Sequence, residues 1–318
     1  MSKVRIGVAG ANGAFGSKHL DALAQIDEAE IVAAMATTLD KANGVADKYS
    51  IPNRFDNYDQ MLGLSDLDAV ILATPTQIHA EQGLKAMAAG KHVLIEIPMA
   101  DTLADSEALL AKQKETGLVA MAGHVRRFNP SHQWVHNKIV AGELSVQQMD
   151  IQTYFFRRTN MNAKGEPRSW TDHLLWHHAC HSIDLFRYQA GEEVTEVHAI
   201  QGPTHPDLGI AMDMSILMKT ETGKLCTLSL SFNNNGPLGS YFRYICDNGT
   251  YIASYDDLYD GHNNKIDVSD VDVSLNGIEL IDREFVSSIL ERKVPNSSLE
   301  QCLPAMRIMH EIEHKMTK

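Results

Sequence analysis

Val4-Arg-Ile-Gly-Val-Ala-Gly-Ala-Asn-Gly-Ala-Phe-Gly16 runs from a short apolar segment into three glycines spaced three apart, and a helical pattern begins at Ser17. An apolar run of this length without alternation suits a strand buried on both faces, as in a parallel sheet. Strand, glycine turn and helix in that order make a phosphate site. The glycines permit the tight turn and the close approach of backbone N–H groups, and the helix N-terminus favours the negative charge. Here the spacing is GxxGxxG, one residue longer than the usual GxGxxG, so the glycines are weak by themselves.

Their context strengthens them. Residues 30–36, 67–73 and 92–96 read as three more apolar strands and residues 118–122 as a last one, with helical patterns between them. This βαβ alternation predicts a doubly wound parallel sheet, a Rossmann dinucleotide-binding domain over residues 1–123. About 20 residues past the glycines, the second strand of an NAD site usually ends on an Asp or Glu that faces the ribose. The chain has Thr37 and Thr38 there, with Lys41 close behind. Without a carboxylate a 2′-phosphate meets no repulsion, and two hydroxyls and an ammonium offer donors, so NADP is expected ahead of NAD.

Beyond Gly123-His-Val-Arg-Arg-Phe-Asn-Pro130 the character changes. Pro130 can open a helix that continues to Ala141 and stops at Gly142. Residues 147–156, 194–200, 211–219, 225–232 and 241–246 alternate or are rich in β-formers, with Thr222-Gly223 and Asn248-Gly249 placed as hairpin turns. Residues 124–318 are therefore expected to form an α+β domain with a largely antiparallel open sheet. Its closing helix spans about 297–316, opened by a capping box from Ser297 to Glu300. Met212, Met214, Ile216, Leu228 and Leu230 fill either this domain's own core or a second sheet face, through which a homodimer or higher homo-oligomer is expected.

At 318 residues the chain exceeds the roughly 100–200 of one domain, in line with two. Its 28 Lys and Arg against 41 Asp and Glu leave a net charge of −13, which argues against nucleic acid and anionic membrane as partners. An anionic substrate then needs a local positive cluster. Cys180, Cys226, Cys246 and Cys302 are scattered without a CxxC pair, which disfavours structural zinc and a disulfide framework. Neither a signal-peptide pattern nor a long apolar span is read, so a cytoplasmic protein is expected.

The densest chemistry lies in Ser169-Trp-Thr-Asp-His-Leu-Leu-Trp-His-His-Ala-Cys-His-Ser-Ile-Asp184. A single helix is expected, capped by Thr171 or Asp172 and followed by Gly191. At helical pitch Leu175, Ala179, Ser182, Ile183, Phe186 and Ala190 face the core, and His173, His177, His181, Asp184 and Tyr188 lie opposite. A carboxylate three residues from His181 can fix the ring and its tautomer. A metal site built on the histidine row is weighed lowest, because the glycine-turn domain would then have no purpose.

Together the glycine turn, Thr74-Pro-Thr-Gln-Ile-His79, Glu96-Ile-Pro98, residues 123–130 and His181-Ser-Ile-Asp184 resemble the Gfo/Idh/MocA family of nicotinamide oxidoreductases. The resemblance implies a cofactor site that uses Gly10, Gly13, Phe15, Gly16, Thr37, Thr38, Thr74, Pro75, Thr76, His79, Glu96, Ile97 and Pro98. It also implies a catalytic His181, with Asp184 orienting it and His177 beside it. Two positions depart from the family pattern: Ile97 stands where a lysine is usual, and His177 where an Asp is usual. Residues 152–158, 160–178 and 229–234 are similar to one branch, which shares Glu-Ile-Pro. That branch implies NADP-dependent oxidation of the hemiacetal of 4-carboxy-2-hydroxymuconate-6-semialdehyde to 2-pyrone-4,6-dicarboxylate, in protocatechuate and lignin-derived aromatic catabolism. A dicarboxylate needs cations. His124, Arg126, Arg127, Arg157, Arg158, Lys164, Arg168 and His173 lie on segments expected to border the substrate cleft. The competing readings are a dehydrogenase for a sugar, inositol or dihydrodiol, and a non-catalytic NADP-sensing regulator.

Overall fold

In this computed structural model, residues 3–161, 165, 167, 171–271 and 277–316 are described, so Lys164, Arg168, Ser169 and Trp170 lie outside the described residues. The chain divides into two compact units, one of Met1–His124 with Ile278–Leu303, the other of Val125–Gly277 with Pro304–Lys318.

The apolar runs of the first unit become β1 (Val4–Ala9), β2 (Ala29–Met35), β3 (Asn53–Phe55), β4 (Ala69–Leu72), β5 (His92–Ile95) and β6 (Ala120–Ala122). They form one sheet in the order β3-β2-β1-β4-β5-β6. Every pairing in it is parallel. Its helices are α1 (Ala14–Leu23), α2 (Leu39–Tyr49), the short α3 (Tyr58–Leu62), α4 (His79–Ala88) and α5 (Leu103–Thr116). Ile6, Val8, Val70, Ile71, Val93 and Leu94 are fully buried. Each such side chain contributes roughly 1.5–3 kcal/mol over exposure, which is why these strands carry no polar alternation. The strand order reverses beside β1, the switch point at which open α/β sheets bind ligands outside their C-terminal ends.

One part of this unit departs from the expected continuous domain of residues 124–318. After Gly277 the chain returns to this unit as α8 (Ile278–Glu291), which packs on α1, and as the start of α9 (Leu299–Met316). The cap of α9 also differs by one residue. Gln301 N–H donates to Ser298 Oγ, and Gln301 Oε1 accepts the Ser297 N–H, so Ser298 is the capping side chain while the return bond falls one residue earlier, on Ser297. Glu300 pairs instead with Lys114.

The second unit opens with a 3₁₀ turn, Val125–Phe128, and α6 (Pro130–Val140). Its strands are β7 (Val146–Tyr154), β8 (Val194–Gln201), β9 (Asp213–Thr220), β10 (Leu225–Ser231), β11 (Gly239–Cys246), β12 (Gly249–Ser254), β13 (Asp257–Asp260) and β14 (Lys265–Ile266), with α7 (Cys180–Ala190) between β7 and β8. They form one sheet, β14-β13-β12-β11-β7-β10-β9-β8, antiparallel except where β7 meets β10. Along β9, Met214, Ile216 and Met218 are buried while Ser215, Leu217 and Lys219 are exposed. Met212, Met214, Ile216, Leu228 and Leu230 all lie in this chain's own core, so they do not supply an oligomer face. No helix among the described residues is long and apolar enough to cross a membrane.

Candidate active site

In the first unit the expected cofactor residues gather at the C-terminal ends of β1, β2, β4 and β5, four consecutive strands of the sheet. Gly10 leaves β1 with φ of 79°, and a Cβ there would lie 2.3 Å from Ala73 O. A Cβ on Gly16 would lie 2.2 Å from Gly10 O, so the turn closes only with glycine at both positions. Gly13 is the N-cap of α1 and supplies no side-chain acceptor, and the first turn carries no acid. The opening N–H groups of α1 are thus left for an anion, the donor set a pyrophosphate requires. Phe15, in that first turn, is half exposed.

Thr37 and Thr38 are exposed at the end of β2. Thr38 also caps α2, accepting the Lys41 N–H at 3.4 Å, a role that leaves its hydroxyl proton available to a ligand. Thr74 and Pro75 leave β4 and lead into a short 3₁₀ turn, Thr76–Ile78. Thr74 donates to Gln82 Oε1 at 2.6 Å. His79 is a strut: it is 1% exposed, its Nδ1 lies 2.9 Å from Pro98 O and its Nε2 2.8 Å from Thr74 O. It lies between the loop after β4 and the loop after β5 that carries the cis Ile97–Pro98 bond, a neutral ring donating to one of the two carbonyls.

Glu96 has partners that no local pattern announces. His19, on the buried side of α1, places Nε2 2.9 Å from Glu96 Oε1 and Nδ1 2.8 Å from Asp282 Oδ1 on α8. Burial alone would lower the pKa of this ring, but Asp282 and then Glu96 override it and raise it to about 10. Glu96 Oε2 accepts the Ile97 N–H at 3.3 Å. Gly123 makes room for that carboxylate, since a Cβ there would lie 3.2 Å from Oε2. His124, next in the chain, is likewise buried.

In the second unit the histidine segment is not one helix. Leu174–Ala179 is π-helical and only Cys180–Ala190 is α-helical, ending at Gly191 with φ of 67°. Leu175, Ala179, Ser182, Ile183, Phe186 and Ala190 are buried as the helical pitch predicts, but Asp184, expected on the opposite side, is buried too, 1% exposed, because that side of α7 is covered as well. Neither Thr171 nor Asp172 caps this segment, whose N-cap is His173 with no side-chain capping bond. Instead the His173 N–H donates to His177 Nδ1 at 3.1 Å, which places the His177 proton on Nε2. Burial first, and then the nearby His173, lower the His177 pKa to about 3, so this ring is a neutral donor at any ordinary pH. Asp172 is held by Arg157 and by His178 Nε2 at 3.1 Å; although burial opposes it, these partners keep its carboxyl well below the usual carboxylate range.

The arginines divide sharply. Arg127 gives Nε and Nη2 to the two Asp184 oxygens, both at 2.7 Å, with its guanidinium 4.7 Å from the Tyr188 ring. Asp184, expected as the orienting group for His181, is therefore first of all the counter-ion of Arg127. Arg157 is matched by Asp172 and lies 4.6 Å over Phe232. Arg158 caps the Arg157 and Phe232 carbonyls over the Phe156 ring. Arg126 differs from all three. It is 8% exposed, meets Asn129 Oδ1 at 3.4 Å and the Tyr255 side chain, and lies 4.7 Å over the Tyr255 ring. Among the described residues no carboxylate comes within ion-pair distance of it. Burial lowers its pKa, and the nearby Tyr255 and Asp256 oppose that only in part.

Known proteins align with both units. Residues 4–124 match the oxidoreductase family with an NAD-binding Rossmann fold, and residues 130–272 match the C-terminal region of bacterial oxidoreductases. The 4-carboxy-2-hydroxymuconate-6-semialdehyde dehydrogenase of Sphingobium sp. (strain NBRC 103272 / SYK-6) is 62% identical over 315 residues, 99% of each chain. A scyllo-inositol 2-dehydrogenase (NAD(+)) of Bacillus subtilis (strain 168) is 29% identical over 160 residues, covering 49% of this chain and 45% of that one. In fold, the chain is similar to UDP-N-acetylglucosamine 3-dehydrogenase GnnA from Acidithiobacillus ferrooxidans, with a TM-score of 0.85, 21% identity, and 99% and 98% of the two chains covered. With a six-stranded parallel sheet, a glycine turn at its switch point and a relative of this identity along its whole length, the chain belongs to the Gfo/Idh/MocA family of oxidoreductases.

Proposed function

We propose that the chain oxidises the cyclic hemiacetal of 4-carboxy-2-hydroxymuconate-6-semialdehyde to 2-pyrone-4,6-dicarboxylate with NADP, as a step in protocatechuate catabolism. The 62% identity to the dehydrogenase named for that substrate supports the choice. The structural observation that carries it is Arg126: a buried guanidinium that makes no ion pair among the described residues, with Asp256 offsetting its burial only in part, is suited to completion by a ligand anion. A dicarboxylate brings such an anion, and a neutral polyol does not.

The first unit holds the cofactor through Gly10, Gly13, Phe15 and Gly16, with Thr37 and Thr38 donating to a 2′-phosphate and Glu96, Ile97 and Pro98 beside the nicotinamide. When bound, the nicotinamide supplies a two-electron hydride acceptor. His181 takes the hydroxyl proton as the C–H bond of the same carbon breaks and the lactone carbonyl forms. An imidazole suits that role because its ordinary pKa of about 6.5 is near working pH. His177, neutral and with its proton on Nε2, donates to the reacting oxygen or to a carboxylate. Arg126, with Asn129 at its edge, receives one carboxylate, and the apolar Ile97 excludes water from the nicotinamide face. A homo-oligomer through the second unit's sheet would use the face of Leu217, Leu225 and Ile200, which are exposed.

The test is to supply freshly prepared protocatechuate 4,5-cleavage product to the purified protein and follow NADPH formation, with NAD, myo-inositol and scyllo-inositol as controls. Rapid reduction with the cleavage product alone is expected. Faster turnover of an inositol, or reduction with neither, would overturn the proposal.

A further inference from the structure

The His19 cluster is an expensive thing to bury if it is only a strut. His19 and Asp282 are fully buried, and α1 and α8 could pack through aliphatic side chains at these positions at no loss. Both His19 nitrogens face carboxylates, Nδ1 against Asp282 at 2.8 and 3.1 Å and Nε2 against Glu96 at 2.9 Å. A neutral imidazole can donate through only one nitrogen, so with both carboxyl groups ionised this arrangement requires the imidazolium. Two carboxylates about one imidazolium leave an excess negative charge. That excess surfaces only at Glu96, whose side chain is 13% exposed. Glu96 directly follows β5, on the sheet edge that also carries the glycine turn.

A nicotinamide is charge-sensitive in one respect. Its oxidised ring is cationic and its reduced ring is neutral, so a fixed negative charge beside it binds the two forms unequally. We infer that Asp282 and His19 are positioning residues that hold Glu96 as a fixed anion, and that Glu96 thereby makes the site bind oxidised cofactor more tightly relative to reduced cofactor. Asp282 anchors the ring, the ring fixes Oε1, and the Ile97 N–H with the absent side chain of Gly123 fixes Oε2. The device suits an enzyme that runs in the oxidising direction, because the neutral reduced product loses an attraction that the substrate form enjoyed. This inference rests on the proposal that a nicotinamide binds beside Glu96.

Calorimetric titration of the wild type, Glu96→Gln and Asp282→Asn with NADP and separately with NADPH tests it. An opposite charge within about 4–6 Å favours the charged form by about tenfold or more. Glu96→Gln is therefore expected to weaken NADP binding about tenfold while changing NADPH binding less than about twofold. Asp282→Asn is expected to shift the ratio in the same direction by a smaller factor, because the charge it removes is more distant. Parallel weakening of both forms would make the cluster merely structural and overturn the inference, as would an unchanged ratio in a Glu96→Gln protein that binds both. A wild type that binds neither form would instead sink the proposed cofactor site and this inference with it.

Discussion

Replacing Asp184 by Asn should unfold the second unit early, and the structure sets the size of the effect. The carboxylate accepts two charge-assisted bonds of 2.7 Å from Arg127, with the two side chains 1% and 3% exposed. Breaking a buried pair by removing one charge costs about 3–5 kcal/mol, because the remaining charge stays desolvated without a counter-ion. Asn keeps one acceptor, which places the loss near the lower end, at about 3 kcal/mol. For a unit in the class of roughly 150–250 residues, each kcal/mol lowers Tm by about 2–4 °C, so a fall of about 6–12 °C follows. Exchanging both partners, as Arg127→Met with Asp184→Leu, should recover most of it, since no charge is then left buried alone. Trp134, Trp170 and Trp176 all lie between residues 125 and 277 in sequence, so tryptophan fluorescence during urea or thermal unfolding reports this unit. A loss under about 1 kcal/mol for Asp184→Asn, or a double variant no better than the single one, would refute the assignment of Arg127 and Asp184 as a mutually neutralising pair.

His181→Ala should lower kcat by about 10²–10⁴-fold while leaving the Kd for NADP within about twofold, and an equal loss of both would remove His181 from the chemistry. Thr37→Asp restores the carboxylate that faces a ribose in NAD sites, and is expected to shift the ratio of kcat/KM for NADP over NAD at least about tenfold toward NAD; a wild type that already prefers NAD would contradict the reading of Thr37 and Thr38. Gly16→Ala should weaken NADP binding severely, because its Cβ would lie 2.2 Å from Gly10 O and the turn must open; unchanged affinity in calorimetry would count against the glycine turn as the phosphate site. His177 gives a pH dependence of definite sign. Its pKa falls from 6.5 to about 3 on folding, so below about 6.5 the unfolded chain takes up a proton that the folded ring refuses. Its contribution to stability is whole at neutral pH and is lost progressively as pH falls from about 6.5 toward 3. His177→Gln should flatten that part of the curve of urea midpoint against pH, and an identical slope in the variant would show that another group is responsible.

Local patterns carried the architecture. Apolar runs of four to seven residues and a glycine turn are short-range physics, so the parallel sheet and its ligand edge could be read from β1 and its sequel alone. The alternation of β9 and β10 likewise announced strands half-buried on one side. Which side was buried could not be read there: Met214, Ile216 and Leu230 could equally have faced a partner, and only their packing in this chain's own core settles it. A uniform helical pitch put Asp184 opposite the core-facing Ile183 and Phe186, and only the folded chain shows that this side is covered too, by Arg127, which a local pattern cannot signal.

By itself the sequence determined the fold class, the glycine turn and the missing acidic residue after β2, and it offered several arginines as candidates for an anionic substrate. It could not say which cations are already neutralised. Arg127 and Arg157 are matched to Asp184 and Asp172, and Arg126 makes no ion pair among the described residues, because pairing depends on which side chains the folded chain brings within 3 Å of one another. The same limit hid the Asp282–His19–Glu96 cluster. His19 and Asp282 stand 263 positions apart, with Val125–Gly277 of the second unit between them in the chain, and each is an ordinary residue in its own helix. Their chemistry exists only because α8 returns to pack on α1, and burial then converts two unremarkable side chains into a charged anchor for Glu96.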